Sequence, residues 1–204
     1  MVLNEAKPIG KRRERQKAET YELILESARV LFEKQGFKKT TIRAVAIHAE
    51  IGLGTLYKHF DNKISLLAAA LHGDLVRLFE EAMESVPVDA QIKDQLIYVA
   101  GFNYRYYTSR PRLSREYIGQ ILFVEGEWAD RIDRFEQMYI EKITDLVKTA
   151  KAKGEIKSDK NCRLVALCFK ADYFLVLMDL FIKRKSSDPE KMLLLLRQLI
   201  DQTI

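Results

Sequence analysis

The residues of this 204-residue chain that could do chemistry fall into three groups. His48, His59 and His72 are scattered, with no acidic or cysteine ligands at metal spacing, so no metal site is expected. Cys162 and Cys168 lie six apart in an apolar run, which matches neither a C-x-x-C pair nor a secreted disulfide framework; reduced, buried thiols fit better. No G-x-S-x-G, phosphate-binding glycine loop or H-E-x-x-H is present, and Gly52 and Gly54 follow no strand. With no nucleophile, base or metal constellation, catalysis is not expected and no cofactor is implied. The third group is concentrated between Thr40 and Lys63. It comprises the hydroxyls of Thr41, Thr55 and Tyr57, the His59 ring and the cations Arg43, Lys58 and Lys63. Such side chains donate hydrogen bonds to phosphate oxygens and base edges rather than make or break bonds.

Charge is distributed in the same sense. Residues 1–63 hold 13 Lys and Arg against 8 Asp and Glu, whereas residues 64–204 hold 21 of each, so the net charge of +5 is entirely N-terminal. A basic N-terminal third beside a neutral remainder is the footprint of a nucleic-acid-binding module joined to a part with another task. The run Lys11, Arg12, Arg13, Arg15 and Lys17 reads as a flexible arm reaching phosphates or an adjacent minor groove, or as a solvated leader. No apolar stretch precedes Tyr21, so neither a secretory signal nor a membrane anchor is expected, and a cytoplasmic location follows.

The elements that position these groups are helical. Tyr21, Ile24, Leu25, Ala28, Leu31 and Phe32 follow helical spacing, which predicts one amphipathic helix over about 16–35, stopped by Gly36. Thr40 or Thr41 caps a two-turn helix burying Ile42, Val45, Ala46 and Ala49, and a third helix runs from about Leu53 to His59. Asp61 or Asn62 caps a fourth, which ends near Pro87. Beyond it, helices are expected at about 89–108, 112–123, 127–153, 159–184 and 188–203, with no strand pair. The expected fold is all-α with about nine helices.

Two short helices about three residues apart form helix-turn-helix geometry, in which the first braces across the backbone and the second enters the major groove. The segments Thr40-Thr41-Ile42-Arg43-Ala44-Val45-Ala46 and Gly54-Thr55-Leu56-Tyr57-Lys58-His59-Phe60 resemble the tetracycline-repressor (TetR) family pattern, with the likeness covering about residues 17–70. The resemblance implies an all-helical homodimer with a three-helix DNA-binding head and a divergent ligand-binding body. It divides the chain into a basic arm at 1–16, a head at 17–70 and a ligand-binding and dimerisation body at 71–204. It also implies a repressor that leaves a palindromic operator in double-stranded DNA when a small-molecule effector binds the body, with the helix Asn62–Glu84 as lever. Thr41, Thr55, Tyr57, His59 and Lys63 are then expected on phosphates, and Arg43, Leu53, Thr55 and Lys58 on bases. Two departures stand out: Glu50 where the family usually has Gly in the turn, and Gly52 at the cap of the second helix. Glu50 in a left-handed conformation costs on the order of 1 kcal/mol, and its carboxylate repels phosphate. These departures favour the alternative of a small-molecule- or partner-binding protein whose head no longer reads DNA specifically.

In the body, the aromatic residues are mainly core, and Phe102, Tyr106, Glu125, Trp128, Asp172 and Tyr173 are the candidates for a ligand pocket. The helix from Leu164 to Ile182 is apolar almost all round, and the last helix adds Met192, Leu193, Leu195, Leu196, Leu199 and Ile200. A helix buried on two sides packs a core with one face and a partner with the other, so a homodimer through the last two helices is expected, and no membrane span.

Overall fold

A computed structural model describes residues 9–203, with side chains placed for residues 11–202. It divides between Ala70 and Leu71 into two units, both built of helices; among the described residues there is no strand.

The first unit holds α1 (Ile9–Gln35), α2 (Ile42–His48), α3 (Leu53–Tyr57) and the start of α4 (Lys63–Glu84). The helix α1 begins seven residues before the expected start near residue 16, so Lys11, Arg12, Arg13 and Arg15 are exposed side chains of a helix and not of a flexible arm. The physical reason lies in residues 11–20, which are Lys, Arg, Glu, Gln and Ala up to the last and include no proline or β-branched residue before Thr20. An Arg15–Glu19 pair at 2.8 Å adds one-turn support. Gly36 ends α1 at φ 84, with its N–H donated to the Phe32 carbonyl at 3.0 Å. Thr41 caps α2 by accepting from the Ala44 N–H at 3.0 Å, and Asn62 caps α4 by accepting from Ser65 N–H at 2.8 Å. Thr40 is instead buried, its hydroxyl donating to the Gly36 carbonyl at 2.9 Å. Ile24, Ala28, Phe32, Val45, Leu56 and Phe60 fill the core. Arg29 ties α1 to α4 by donating to the Ala70 carbonyl at 2.7 Å.

The second unit comprises the rest of α4, then α5 (Ile92–Ser109), α6 (Pro111–Gln120), a 3₁₀ turn (Ile121–Phe123), α7 (Glu127–Ala152), α8 (Cys162–Val176) and α9 (Pro189–Thr203). The sequence reading of one α-helix over about 159–184 needs amending, because Leu177–Ile182 widens into a π-helix. The Arg115 guanidinium lies 4.5 Å from the Phe181 ring centre, and its Nε donates to the Phe181 carbonyl at 2.8 Å, satisfying an acceptor there. Asn161 caps α8 by accepting from the N–H groups of Arg163 and Leu164. The helix α8 packs between α7 and α9, and α9 packs in turn on α5. The Tyr104 and Tyr173 rings stack at 4.9 Å between α5 and α8, and the buried Tyr104 hydroxyl donates to the Tyr173 carbonyl. Cys168 is exposed and Cys162 half-buried, contrary to the expectation of buried thiols, because α8 turns the Cys168 stripe outward. Among the described residues no helix is long and apolar enough to cross a membrane, and no cluster of metal-ligating side chains occurs.

Candidate functional site

In the first unit the turn between α2 and α3 is tight because of its backbone. Ala49 ends α2, Glu50 takes φ 55, and the Ile51 N–H returns to the Ala46 carbonyl at 3.0 Å. This is the hydrogen bonding of a helix closed by a left-handed residue, a position that glycine fills without cost and Glu50 does not. Gly52 then starts α3 with extended backbone and no side-chain cap. Leu56 is fully buried, as are Val45 and Ala46 of α2, while Ile51 is half-buried. Burying Leu56 leaves the residues one place to either side facing out or half out.

Arg43, Tyr57 and Lys58 are exposed, Leu53 is 40% exposed, and Thr55 and His59 are half-buried. Thr41 is exposed beside them, its hydroxyl already accepting the capping bond and still able to donate. A side chain at Gly54 would meet open space, so no protein neighbour requires glycine there; what it leaves is a smooth approach for something outside the chain. A surface recess joins Thr55, Lys58 and His59 to Arg13, Lys17 and Thr20 of α1, so the basic helix extension reaches the same face. Burial lowers the His59 pKa, and the nearby Lys17 charge lowers it further, which leaves a neutral imidazole at pH 7.

Lys63 does not join this face. Its Nζ donates to the carbonyls of Phe37 at 2.9 Å and Thr40 at 3.1 Å and sits 4.3 Å from the Phe37 ring centre. It closes the loop between α1 and α2, so the expected phosphate contact gives way to a structural one. The exposed Ile47, at 68%, is an apolar side chain on α2 that helical spacing alone did not single out.

The second unit encloses a cavity of about 90 Å³. Its polar wall is made by Asn103, Tyr107, Tyr117, Tyr139 and Tyr173, with Glu136 of α7 ion-paired to Lys170 of α8. Leu75, Ile118, Phe135, Phe174 and Leu177 contribute the apolar wall. Desolvation raises every one of these tyrosines, Tyr107 to about 12 despite its hydrogen bond with Tyr173, so all are neutral hydrogen-bonding groups. Lys170 is shifted down by burial, partly opposed by Asp133.

Of the six pocket candidates in the sequence, Tyr173 lines this cavity and five do not. Phe102 packs on Tyr98, and Tyr106 donates to Asp74 at 2.7 Å. Trp128 meets His72 edge-on beneath the Arg131 guanidinium. Glu125 is exposed on the turn before α7, and Asp172 is a helical step away from the inward Tyr173. Asn103 and Glu136 were missed because their helices offer polar residues on several faces, and only packing selects the inner one. Outward on α8, Leu164, Leu167, Ala171 and Leu175, continued by Met178 of the π-helix, form an exposed apolar stripe, with Leu164 60% exposed.

Comparison with known proteins agrees with this anatomy. A family model described as bacterial regulatory proteins, tetR family, matches residues 24–70. The HTH-type transcriptional repressor KstR of Mycobacterium tuberculosis is 28% identical over 137 residues, which cover 67% of this chain and 60% of KstR. The match thus spans about three-fifths of that relative's length. The HTH-type transcriptional repressor BepR of Brucella suis is 28% identical over 156 residues, 73% of this chain and 74% of BepR. The solved structure of the regulator FadR from Bacillus subtilis, in complex with stearoyl-CoA, shares the fold at TM-score 0.75 and 17% identity, covering 90% of this chain and 99% of that one.

Proposed function

We propose that this chain is a DNA-binding repressor of the tetR family of bacterial regulatory proteins, released by a small molecule. The observation that carries the reading is the outward set on α2 and α3: Arg43, Thr55, Tyr57 and Lys58 beside the side-chain-free Gly54. Only the major groove admits a helix, and Arg43 has the forked geometry to pair with a guanine edge. Thr41, Tyr57, His59, Arg13 and Lys17 donate to flanking phosphates and fix register. Leu53 reaches a thymine methyl.

Two heads are presented by a cytoplasmic homodimer in which the α8 stripe and the exposed Leu194 of α9 meet their copies in a four-helix interface. The dimer spaces the heads on two halves of a palindromic operator. An effector in the α5–α8 cavity binds better to a dimer with wrongly spaced heads, and reciprocity then requires operator DNA to weaken effector binding. The continuous helix α4 is the connecting lever: it gives Leu66 and Leu67 to the head core and Leu75 to the cavity wall.

Selection of the purified protein on random duplex DNA tests the reading. One two-fold motif should be enriched. Enrichment of no motif, with an intact salt dependence, would mean that the head binds phosphate without reading sequence, and would overturn the proposal in favour of a small-molecule- or partner-binding protein.

A further inference from the structure

With Tyr173 paired to Tyr107 and Glu136 to Lys170, two further polar groups in the cavity wall have no hydrogen-bond partner within the protein. Asn103 and Tyr139 are each 5% exposed, and the Asn103 side-chain oxygen and the Tyr139 hydroxyl are both buried without a hydrogen bond. A buried polar atom left alone costs about 1–3 kcal/mol, so these two mark where a ligand's polar atoms belong. An amide side chain and a phenol together offer a donor and an acceptor, the complement of a hydroxyl group.

We propose that the cavity takes a small uncharged molecule: one six-membered ring bearing a hydroxyl, of the phenol or cyclohexanol class. The inference rests on the reading of this cavity as the effector site and adds the chemistry of what fills it.

Size supports a ring over a chain. An apolar cavity of about 150 Å³ holds benzene; this one, at about 90 Å³, has to widen for one ring, and two of its lining side chains, Phe174 and Ile132, are only half-buried. A long acyl chain needs several times the space, since pockets for large ligands run from about 300 Å³ upward. Charge supports a neutral ligand. Glu136 and Lys170 are already paired in the wall, so a carboxylate or an amine has to compete with that pair whereas a neutral ligand does not. Burial raises the pKa of the Tyr139 and Tyr173 hydroxyls, the direction expected where a negative charge is disfavoured. Phe135 and Phe174 supply ring faces or edges for the ligand ring.

Calorimetric titration of the full chain with phenol, cyclohexanol, benzoate and decanoate tests this. Phenol and cyclohexanol should bind, and benzoate and decanoate should bind at least about tenfold more weakly. Tyr139→Phe should weaken phenol about tenfold, one lost hydrogen bond at 1.4 kcal/mol per decade. The melting temperature of the unliganded variant should not fall, because the hydroxyl it loses has no partner in the protein. Benzoate binding as tightly as phenol, phenol binding that is indifferent to Tyr139→Phe, or no binding of any of the four would each overturn the proposal. Operator binding is measured separately on the same preparation. Phenol binding without sequence-specific DNA binding would leave this inference standing and remove the repressor reading, and the converse result would do the reverse.

Discussion

Lys58 and Lys63 stand five residues apart, carry the same charge and have different fates. Lys58 is exposed on the outward side of α3, whereas the Lys63 ammonium is held by two backbone carbonyls and an aromatic ring. Their substitution should therefore separate DNA binding from folding. Lys58→Ala should leave the melting temperature unchanged and weaken operator binding by about 1–3 kcal/mol, with relaxed preference at the base pair it reads. Lys63→Met should leave the salt slope of DNA binding unchanged and destabilise the head by about 1–3 kcal/mol, since the Phe37 and Thr40 carbonyls lose a charged donor. Titrations at several salt concentrations, beside denaturant melts, read both quantities. A drop in slope for Lys63→Met would restore it to the interface. Titration of His72 belongs to the same scale. Its ring lies edge-on to Trp128 and Phe135, and its pKa is pushed below the usual 6.5 first by burial and then by the charges of Arg131 and Arg134. The unfolded chain thus takes up the proton first as pH falls. Stability should be complete above about pH 6.5 and decline on acidification towards the lower folded value. Melting curves from pH 7.5 to 5 should show a smaller acid loss in His72→Gln than in the parent, and identical curves would remove His72 from the account.

At the scale of elements, α4 is the one that enters both units, and it carries a glycine in its interior. A side chain at Gly73 would meet nothing within 4 Å. Gly73→Ala should therefore stabilise by about 1 kcal/mol through helix propensity alone, which a denaturant melt measures; destabilisation would mean that the position is packed in a way the fold does not reveal. How far such elements were legible in the sequence depended on where the determining forces sit. The stops and starts at Gly36, Thr41, Asn62 and Asn161 are local hydrogen-bond chemistry; Gly36 was read directly, Thr41 and Asn62 each as one of two neighbours, and Asn161 not at all. The start of α1 was not, because charged residues at 11–17 have no apolar period to announce a helix even though each favours one. The π-helix at Leu177–Ile182 was hidden as well, since its residues continue the apolar run of α8 and their types mark no change of winding. The outward residues of α2 and α3 could be named from spacing because a two-turn helix has one inner face. The cavity could not, because Asn103, Glu136 and Lys170 meet only once α5, α7 and α8 have packed.

For the whole molecule, the decisive question is what covers α8. Its inner face already fills the core with Val165, Ala166, Phe169 and Val176, yet Leu164, Leu167, Leu175 and Met178 remain exposed. Contiguous apolar surface of this kind, on a helix whose other side is satisfied, calls for a partner. The proposed partner is a second copy, and a two-fold axis would place each residue of the stripe near the same stripe of its mate. Leu167→Arg combined with Leu175→Arg should convert the protein to a monomer, because four guanidinium groups would have to be buried together in the interface. The protomer should keep its helicity and its melting cooperativity, since both positions face solvent within one chain. DNA binding should then divide by site. Affinity for a two-half-site operator should fall by orders of magnitude while affinity for a single half-site stays the same, because the head is untouched and only the linkage between heads is lost. Sedimentation equilibrium and half-site titration decide the matter together. A variant that remains dimeric would move the interface off α8, and one that is monomeric but keeps full operator affinity would show that the two heads do not act as a linked pair.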